Sequence, residues 1–161
     1  MRFFRTLLLV VIASPFVAGG APLTDLTPRP EMSPEQVVQF QVAALAHNDD
    51  PQTDAGIERA FRFASPSNKT ATGPLEKFAQ IVKSPVYSPM LNNVSSSIVG
   101  SDVEGNEAKV AVKVFGATGR QVTFVFVLSK QSEGEFSNCW MTDAVMPLDG
   151  SEDASDQGLT I

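Results

Sequence analysis

The chain has 161 residues and a formal net charge of -6, with 18 acidic against 12 basic side chains. Its length is typical of one domain, and an apolar content of 43 % is too high for a disordered chain. The acidic balance argues against nucleic acid and anionic membranes as partners, because both require a basic surface. A single cysteine, Cys139, excludes an intrachain disulfide.

The N-terminus has the layout of a secretory signal peptide over residues 1–20. A basic start with Arg2 and Arg5 precedes an apolar run, and small residues follow at positions 18–21. A signal anchor is the alternative, but the run is short and Pro15 interrupts it. We expect cleavage, a mature chain with no membrane association, and a location in the secretory pathway or outside the cell. An organelle lumen reached through the same signal is the alternative location.

Composition divides the rest of the chain into three parts. Residues 21–32 contain three prolines and predict a flexible leader, and residues 33–148 carry the periodic patterns of one domain. Residues 149–161 are acidic and small, which predicts a disordered tail. Asn68 and Asn93 begin Asn-x-Ser/Thr triplets, which are glycosylation acceptors in a eukaryotic secretory route.

Helical periodicity fills the first half of the domain. Helix one is predicted to begin after Ser33, with Pro34 in its first position and Gln36 completing a capping box. At 100° per residue, Gln41 falls in the middle of the apolar arc of this helix and must find partners or water. Helix two is predicted at about 54–64 with Pro66 as its stop, and helix three follows 72–74 and ends before Pro85.

The second half changes to the period of strands. A weak edge strand is predicted at 92–99, and apolar residues alternate with lysines at 109–114. Residues 121–128 are apolar on both faces, which is typical of a central strand, and a fourth strand is predicted at 138–146. Helices followed by a meander of strands predict an α+β fold. We expect a cone-shaped roll of three N-terminal helices packed on a curved four-stranded antiparallel sheet.

Several segments of the chain also match a known family in their amino-acid sequence. They are Gln39–Leu45, Asn48–Asp50, Asp54–Ile57, Ala60–Pro66, Gly73–Phe78, Pro85–Tyr87 and Gly134–Trp140. At these residues the chain resembles the nuclear-transport-factor-two-like superfold and, more narrowly, the family catalogued as domain of unknown function 4864. The resemblance covers about 34–147. It implies a cone with a cavity at its open end, and it implies no activity.

Two residues are candidates for acid–base catalysis, since enzymes of this superfold use a His–Asp pair or a lone Asp inside the cone. His47 is the sole histidine and lies near the end of helix one, beside two aspartates. Its alternative role is that of a solvated residue at a helix C-terminus. Asp143 lies on the last strand among apolar neighbours and could act as a base, or it could be a rim residue in water.

Five residues are candidates for lining a ligand site: Gln41, Tyr87, Phe124, Phe126 and Trp140. Tyr87 and Trp140 each offer an apolar body with one polar group, which suits either a pocket or the core. No cofactor is expected. No metal is expected either, because the acidic run at 49–54 lacks the glycine and the closing glutamate of a calcium loop.

Two functions of different classes remain open on the sequence. The favoured one is a non-catalytic domain that binds a small apolar ligand in its cone, or pairs with a second copy through the sheet face. The alternative is a small dehydratase or isomerase that uses Asp143 or His47. The first is favoured because Gln41 is neutral and the inner face of the third strand holds no titratable group. The ligand or reaction cannot be read from the sequence.

Overall fold

The computed structural model describes residues 26–148. The predicted signal peptide and acidic tail lie outside the described residues, as does the first part of the leader. Residues 26–33 form no helix or strand, and Leu26 and Met32 pack against the core. No helix within 26–148 has the length and apolar character that a membrane crossing requires.

Four α-helices form the first half of the described domain: α1 (Pro34–Ala46), α2 (Ala55–Arg62), α3 (Pro66–Thr72) and α4 (Leu75–Val82). A 3-10 turn at Ser88–Met90 leads towards the sheet. The predicted start of α1 is confirmed, since the Gln36 N–H donates to Ser33 Oγ and the Ser33 N–H donates to Gln36 Oε1. On α2, Arg62 and Glu58 form an i,i+4 ion pair with 3.2 Å between Nη2 and Oε1.

Helix α3 was not predicted from the sequence. The sequence pattern predicted three helices and Pro66 as the end of the second one. Pro66 is instead the first residue of α3, where the missing N–H of a proline costs nothing. The Ser65 hydroxyl accepts from the Asn68 N–H, which repeats the Ser-Pro start of α1. The helix lacks an apolar stripe, since Asn68 is its one buried residue. Periodicity therefore could not reveal it.

The second half is a four-stranded antiparallel sheet in the order β1-β2-β3-β4. The strands are β1 (Ser95–Glu104), β2 (Glu107–Phe115), β3 (Gln121–Lys130) and β4 (Trp140–Leu148). The α+β class, the edge position of β1 and the interior position of β3 are confirmed. Buried residues alternate along β2 and β3, so the helices cover one face of the sheet and leave the other open.

The core lies between α1, α2 and the covered face of the sheet. Its fully buried side chains include Val37, Ile57, Phe63, Phe124 and Leu128. The two helices approach closely at Gly56, where an added Cβ would lie 2.1 Å from the Ala44 carbonyl oxygen. Glycine is therefore required where α2 crosses α1.

Strand β4 has two local features that shape the site. The connection between α2 and α3 pairs with its outer edge at Thr142, which donates its N–H to Phe63 O and accepts at its carbonyl from the Ser65 N–H, both at 2.9 Å. On the other edge, Val127 pairs with Ala144 while Leu128 pairs with Thr142. Asp143 is thus the extra residue of a β-bulge, which interrupts the regular alternation of side chains along β4.

Candidate functional site

A cavity of about 250 Å³ lies between the helices and the β4 side of the sheet. Its floor is buried and consists mainly of Gln41, Leu45, Ala60, Met90 and Phe126. Its mouth is more exposed and lies between α3 and α4 on one side and β4 on the other. The mouth residues are Ala71, Thr72, Phe78, Ile81, Tyr87, Asp143, Ala144 and Val145.

Gln41 lies on the cavity floor with 4 % of its surface exposed, which confirms that it faces the interior. Its Nε2 donates to the Ala60 carbonyl at 3.1 Å, and its Oε1 accepts from the Thr142 hydroxyl at 2.6 Å. The amide therefore links α1 to α2 and to β4. The cost of burying it is offset because both of its ends are hydrogen-bonded.

Asn68 joins α3 to the same place on β4. Its Nδ2 donates to the Thr142 carbonyl at 3.1 Å, and the Thr72 hydroxyl donates to the Asn68 carbonyl at 2.9 Å. Asn68 is 7 % exposed, so its amide nitrogen is used inside the fold. The asparagine of the second glycosylation triplet, Asn93, is also buried, and its side-chain amide donates to the Met90 carbonyl at 2.8 Å. Neither asparagine presents a free amide to a glycan in the folded domain.

Tyr87 lies at the mouth of the cavity with its hydroxyl fixed. The hydroxyl donates to the Val145 carbonyl at 3.1 Å, and the ring stacks on Phe124 with 6.1 Å between centroids. Phe124 is fully buried behind Tyr87, and Trp140 belongs to the core cluster. The structure therefore brings Gln41, Tyr87 and Phe126 to one cavity, while Phe124 and Trp140 do not line it.

Asp143 lines the same cavity and is half-buried there. It is the one charged residue among those that line the cavity. Within residues 26–148 its carboxylate makes no hydrogen bond and no ion pair. Its position follows from the bulge, which places Asp143 beside Ala144 and Val145 at the mouth.

His47 lies away from this cavity. It is exposed at the C-terminal end of α1, where its backbone N–H donates to the Ala43 and Ala44 carbonyls. Its own carbonyl accepts from Arg59 Nη2 at 2.9 Å. His47 does not line the cavity that Asp143 lines, so the structure does not bring the two catalytic candidates together.

A hydrogen-bond network around Asn48 organises the loop between α1 and α2. Asn48 is 3 % exposed; its Oδ1 accepts from the Ile57 N–H, and its Nδ2 donates to Asp49 and Asp54. Asp49 in turn accepts from Asn92 Nδ2 and from the Asp54 N–H. The Asn92 bond is the main cause that holds the pKa of Asp49 below its usual range. Sequence reasoning missed this network because Asn92 is distant in the chain.

The carboxylates of Asp49 and Asp54 in this acidic loop are engaged by the protein itself, and Asp50 is engaged through its backbone carbonyl. Lys83 Nζ lies 2.6 Å from Asp54 Oδ2, and the buried Arg59 donates through Nη2 to the Asp50 carbonyl at 2.7 Å. Among residues 26–148 there is no group of three or more His, Cys, Asp or Glu that could hold a metal ion. We therefore interpret the loop as a structural connection between α1 and α2.

Two further reactive side chains are held in apolar surroundings. Lys69 Nζ lies 5.3 Å from the Phe61 ring centroid and 5.9 Å from that of Phe136, and burial lowers the pKa of Lys69. Burial raises the pKa of the Cys139 thiol, which is 3 % exposed. A buried thiol with a raised pKa is a poor nucleophile, so Cys139 is inert in the folded domain.

The fold and the cavity define the class of this protein: a small α+β domain with an apolar, partly open cavity between its helices and its sheet. The family model described as Domain of unknown function (DUF4864) matches residues 30–152, and the chain belongs to that family. The match spans every helix and strand of the described structure. No curated protein and no solved structure matches the chain.

Proposed function

We propose that the domain binds a small, largely apolar molecule in the cavity between α3, α4 and β4. The supporting observation is the void itself. Protein interiors are close-packed, and a void of about 250 Å³ lined mainly by apolar side chains is close to the lower end of the range for small-molecule sites. The lining residues are buried at the floor and half-exposed at the mouth, which supports entry of the ligand between α3 and β4.

Two experiments test binding. Native mass spectrometry of protein purified from its own host should find a retained small molecule. A tryptophan at the exposed mouth residue Ala71 should block entry, whereas Ala117→Trp, in an exposed turn away from the cavity, serves as the matched control. We expect Ala71→Trp to lose the retained mass and Ala117→Trp to keep it. Equal retention by both variants would contradict the proposal.

Asp143 supports a second candidate function, a dehydratase or isomerase. A carboxylate on the wall of a cavity can move a proton on a bound substrate, and general acid–base catalysis contributes on the order of a hundredfold to ten-thousandfold. His47 is the weaker candidate on this proposal because it is exposed and does not line the cavity. Turnover should fall in Asp143→Asn and persist in His47→Gln. Unchanged turnover in Asp143→Asn would exclude this role for Asp143.

Pairing with a second copy through the uncovered sheet face is proposed as the quaternary arrangement. Val125 faces Met146 and Thr123 faces Leu148 on that side, and Met146 and Leu148 are 50 % and 53 % exposed. Light scattering should show a dimer that Met146→Glu dissociates. Val86→Glu, at an exposed position between α4 and the sheet, is the control and should leave the dimer intact. A monomeric wild-type protein would refute the pairing.

We infer membership of the nuclear-transport-factor-two-like superfold from the order of helices, the antiparallel meander and the cavity between them. Secretion is inferred from the basic start, the apolar run and the small residues of the N-terminus.

A further inference from the structure

Among the described residues that line the cavity, Asp143 has the one charged side chain, and its carboxylate makes no hydrogen bond or ion pair within 26–148. The register shift between β3 and β4 leaves Asp143 without a cross-strand partner. Bulges often re-aim a side chain at a functional site, and here the residue lines the mouth of the void. A half-buried charge that contributes no bond to the fold has no evident structural reason to be there.

The other polar side chains that line the cavity are already engaged within the protein. Gln41 bonds to Ala60 and Thr142, and Tyr87 donates to the Val145 carbonyl. Asn68 and Thr72 bond to backbone carbonyls. A ligand with a polar group therefore meets one wholly unused polar side chain, that of Asp143. An ionised carboxylate accepts hydrogen bonds and donates none.

Nearby lysines of the described chain do not neutralise this carboxylate. Lys69 is one residue from the cavity-lining Asn68, but its ammonium lies over the rings of Phe61 and Phe136. Lys83 follows the cavity-lining Val82 and is paired with Asp54 at 2.6 Å. Within residues 26–148 no lysine or arginine forms an ion pair with Asp143. A cation that pairs with Asp143 would therefore come from a ligand or from residues outside 26–148.

We propose that the ligand of this cavity is a small apolar amine, whose ammonium group binds Asp143 and whose hydrocarbon part contacts Leu45, Met90 and Phe126. The proposal rests on the ligand-binding function argued above. A neutral ligand without a donor at the mouth would strip water from the carboxylate without replacing its hydrogen bonds, a neutral donor would supply a hydrogen bond but no opposite charge, and an anionic ligand would be repelled. An ammonium group supplies both the donors and the opposite charge.

The aromatic residues at the mouth support the same ligand class. Phe78 and Tyr87 line the cavity and are half-buried at its mouth, with Phe78 on α4 and the Tyr87 hydroxyl bonded to Val145 on β4. Ring faces attract cations, and the attraction is larger where water is partly excluded. The mouth thus combines one carboxylate with two aromatic rings, while the floor is apolar apart from the engaged Gln41.

The test compares three probes of similar shape on the purified protein: benzylamine, benzyl alcohol and benzoate. Affinities are measured by titration calorimetry and by ligand-observed NMR. We expect benzylamine to bind about tenfold more tightly than benzyl alcohol, as suits one charged hydrogen bond in a partly buried site, and benzoate to bind least. Asp143→Asn should remove the preference for the amine over benzyl alcohol.

Matched variants separate this inference from the proposed function. Asp102→Asn, an exposed carboxylate on β1, should leave the preference for the amine intact, and Asp143→Ser provides a second removal of the charge. If benzyl alcohol binds and Ala71→Trp abolishes its binding, but the amine gains nothing from Asp143, the amine proposal is overturned and the binding function stands. If none of the three probes binds, both are overturned.

Discussion

The Thr142 hydroxyl donates a 2.6 Å hydrogen bond to Gln41 Oε1, and this buried bond joins α1 to the edge strand β4 across 101 positions of the chain. Because Gln41 also donates to the Ala60 carbonyl, a single amide ties the two layers of the domain together at the cavity floor. The geometry explains why a polar residue interrupts the apolar arc of the first helix. A buried polar bridge of this kind favours one arrangement of the layers.

The first prediction concerns this bridge. Thr142→Val leaves the Gln41 oxygen buried without a donor and should reduce the free energy of unfolding by about 1–3 kcal/mol. Gln41→Leu should cost a similar amount, because it leaves the buried Thr142 hydroxyl without its acceptor and removes one of the two donors to the Ala60 carbonyl, which keeps the Phe63 N–H. The double variant should lose less than the sum of the two single losses. Urea denaturation measures all three, and strictly additive losses would show that the bond contributes nothing specific.

The second prediction concerns Asn48. Asn48→Ala removes the acceptor of the Ile57 N–H and the donor to two aspartates, so the start of α2 loses its support. We expect about 1–3 kcal/mol of destabilisation from the buried N–H that is left unpaired. Asn106→Ala, in the exposed turn between β1 and β2, is the control and should change stability little. An equal effect of both substitutions in chemical denaturation would contradict this role.

Local patterns predicted the elements of this fold well where a residue's own neighbours decide its structure. The capping box at Ser33 and the polar residue inside an apolar arc at Gln41 are of that kind. Helix α3 escaped because its stability comes from tertiary bonds such as that of Asn68 to the Thr142 carbonyl, 74 positions away. The short polar sequence of α3, taken alone, gives little indication of a helix.

The candidate site was predictable only in part, for a related reason. The order of helices and strands is enough to predict that Tyr87 and Phe126 lie at the cavity. The position of Asp143 depends instead on the register between β3 and β4. A bulge is decided by pairing between strands, and strict alternation along one strand cannot reveal it. The Asn48 network is hidden in the same way, because its partner Asn92 lies 44 positions later in the chain.

The third prediction concerns glycosylation. The Asn68 and Asn93 amide nitrogens are used in buried hydrogen bonds, so a glycan on either would break them and meet the packed interior. If the protein is passed through a eukaryotic secretory route, we expect the folded product to carry no N-linked glycan at either position. Intact-mass spectrometry before and after glycosidase treatment measures this. A folded, secreted product with a glycan on Asn68 would show that the amide is accessible after all.

The fourth prediction concerns the N-terminus. A signal peptide over residues 1–20 predicts that the mature protein begins between Gly19 and Leu23. N-terminal sequencing of protein from its own host measures the start directly. Replacing Arg2 and Arg5 with glutamate should reduce export, because a basic start helps to orient the apolar run. Protein that keeps Met1 and stays in the cytosol would rule out the signal.

The last prediction concerns the acid limb of stability. Hydrogen bonds from the Ser101 and Ser33 hydroxyls to the Glu35 carboxylate hold its pKa below the ordinary value of 4.5. The folded state binds a proton at Glu35 less readily than the unfolded state does. The contribution of Glu35 to the free energy of unfolding is therefore complete above about pH 4.5, and it is lost as the pH falls through the pKa of Glu35 in the folded state.

Glu35→Gln should therefore flatten the dependence of the free energy of unfolding on pH below this value. Urea midpoints across the acid range measure the slope, since the slope reports the difference in bound protons between the two states. Glu104→Gln, an exposed carboxylate at the end of the same β1 strand that carries Ser101, is the control. The Glu35 variant should lose more of the acid slope than the Glu104 variant. Identical slopes in the two variants would mean that the serine hydroxyls do not stabilise the ionised Glu35 in the folded protein.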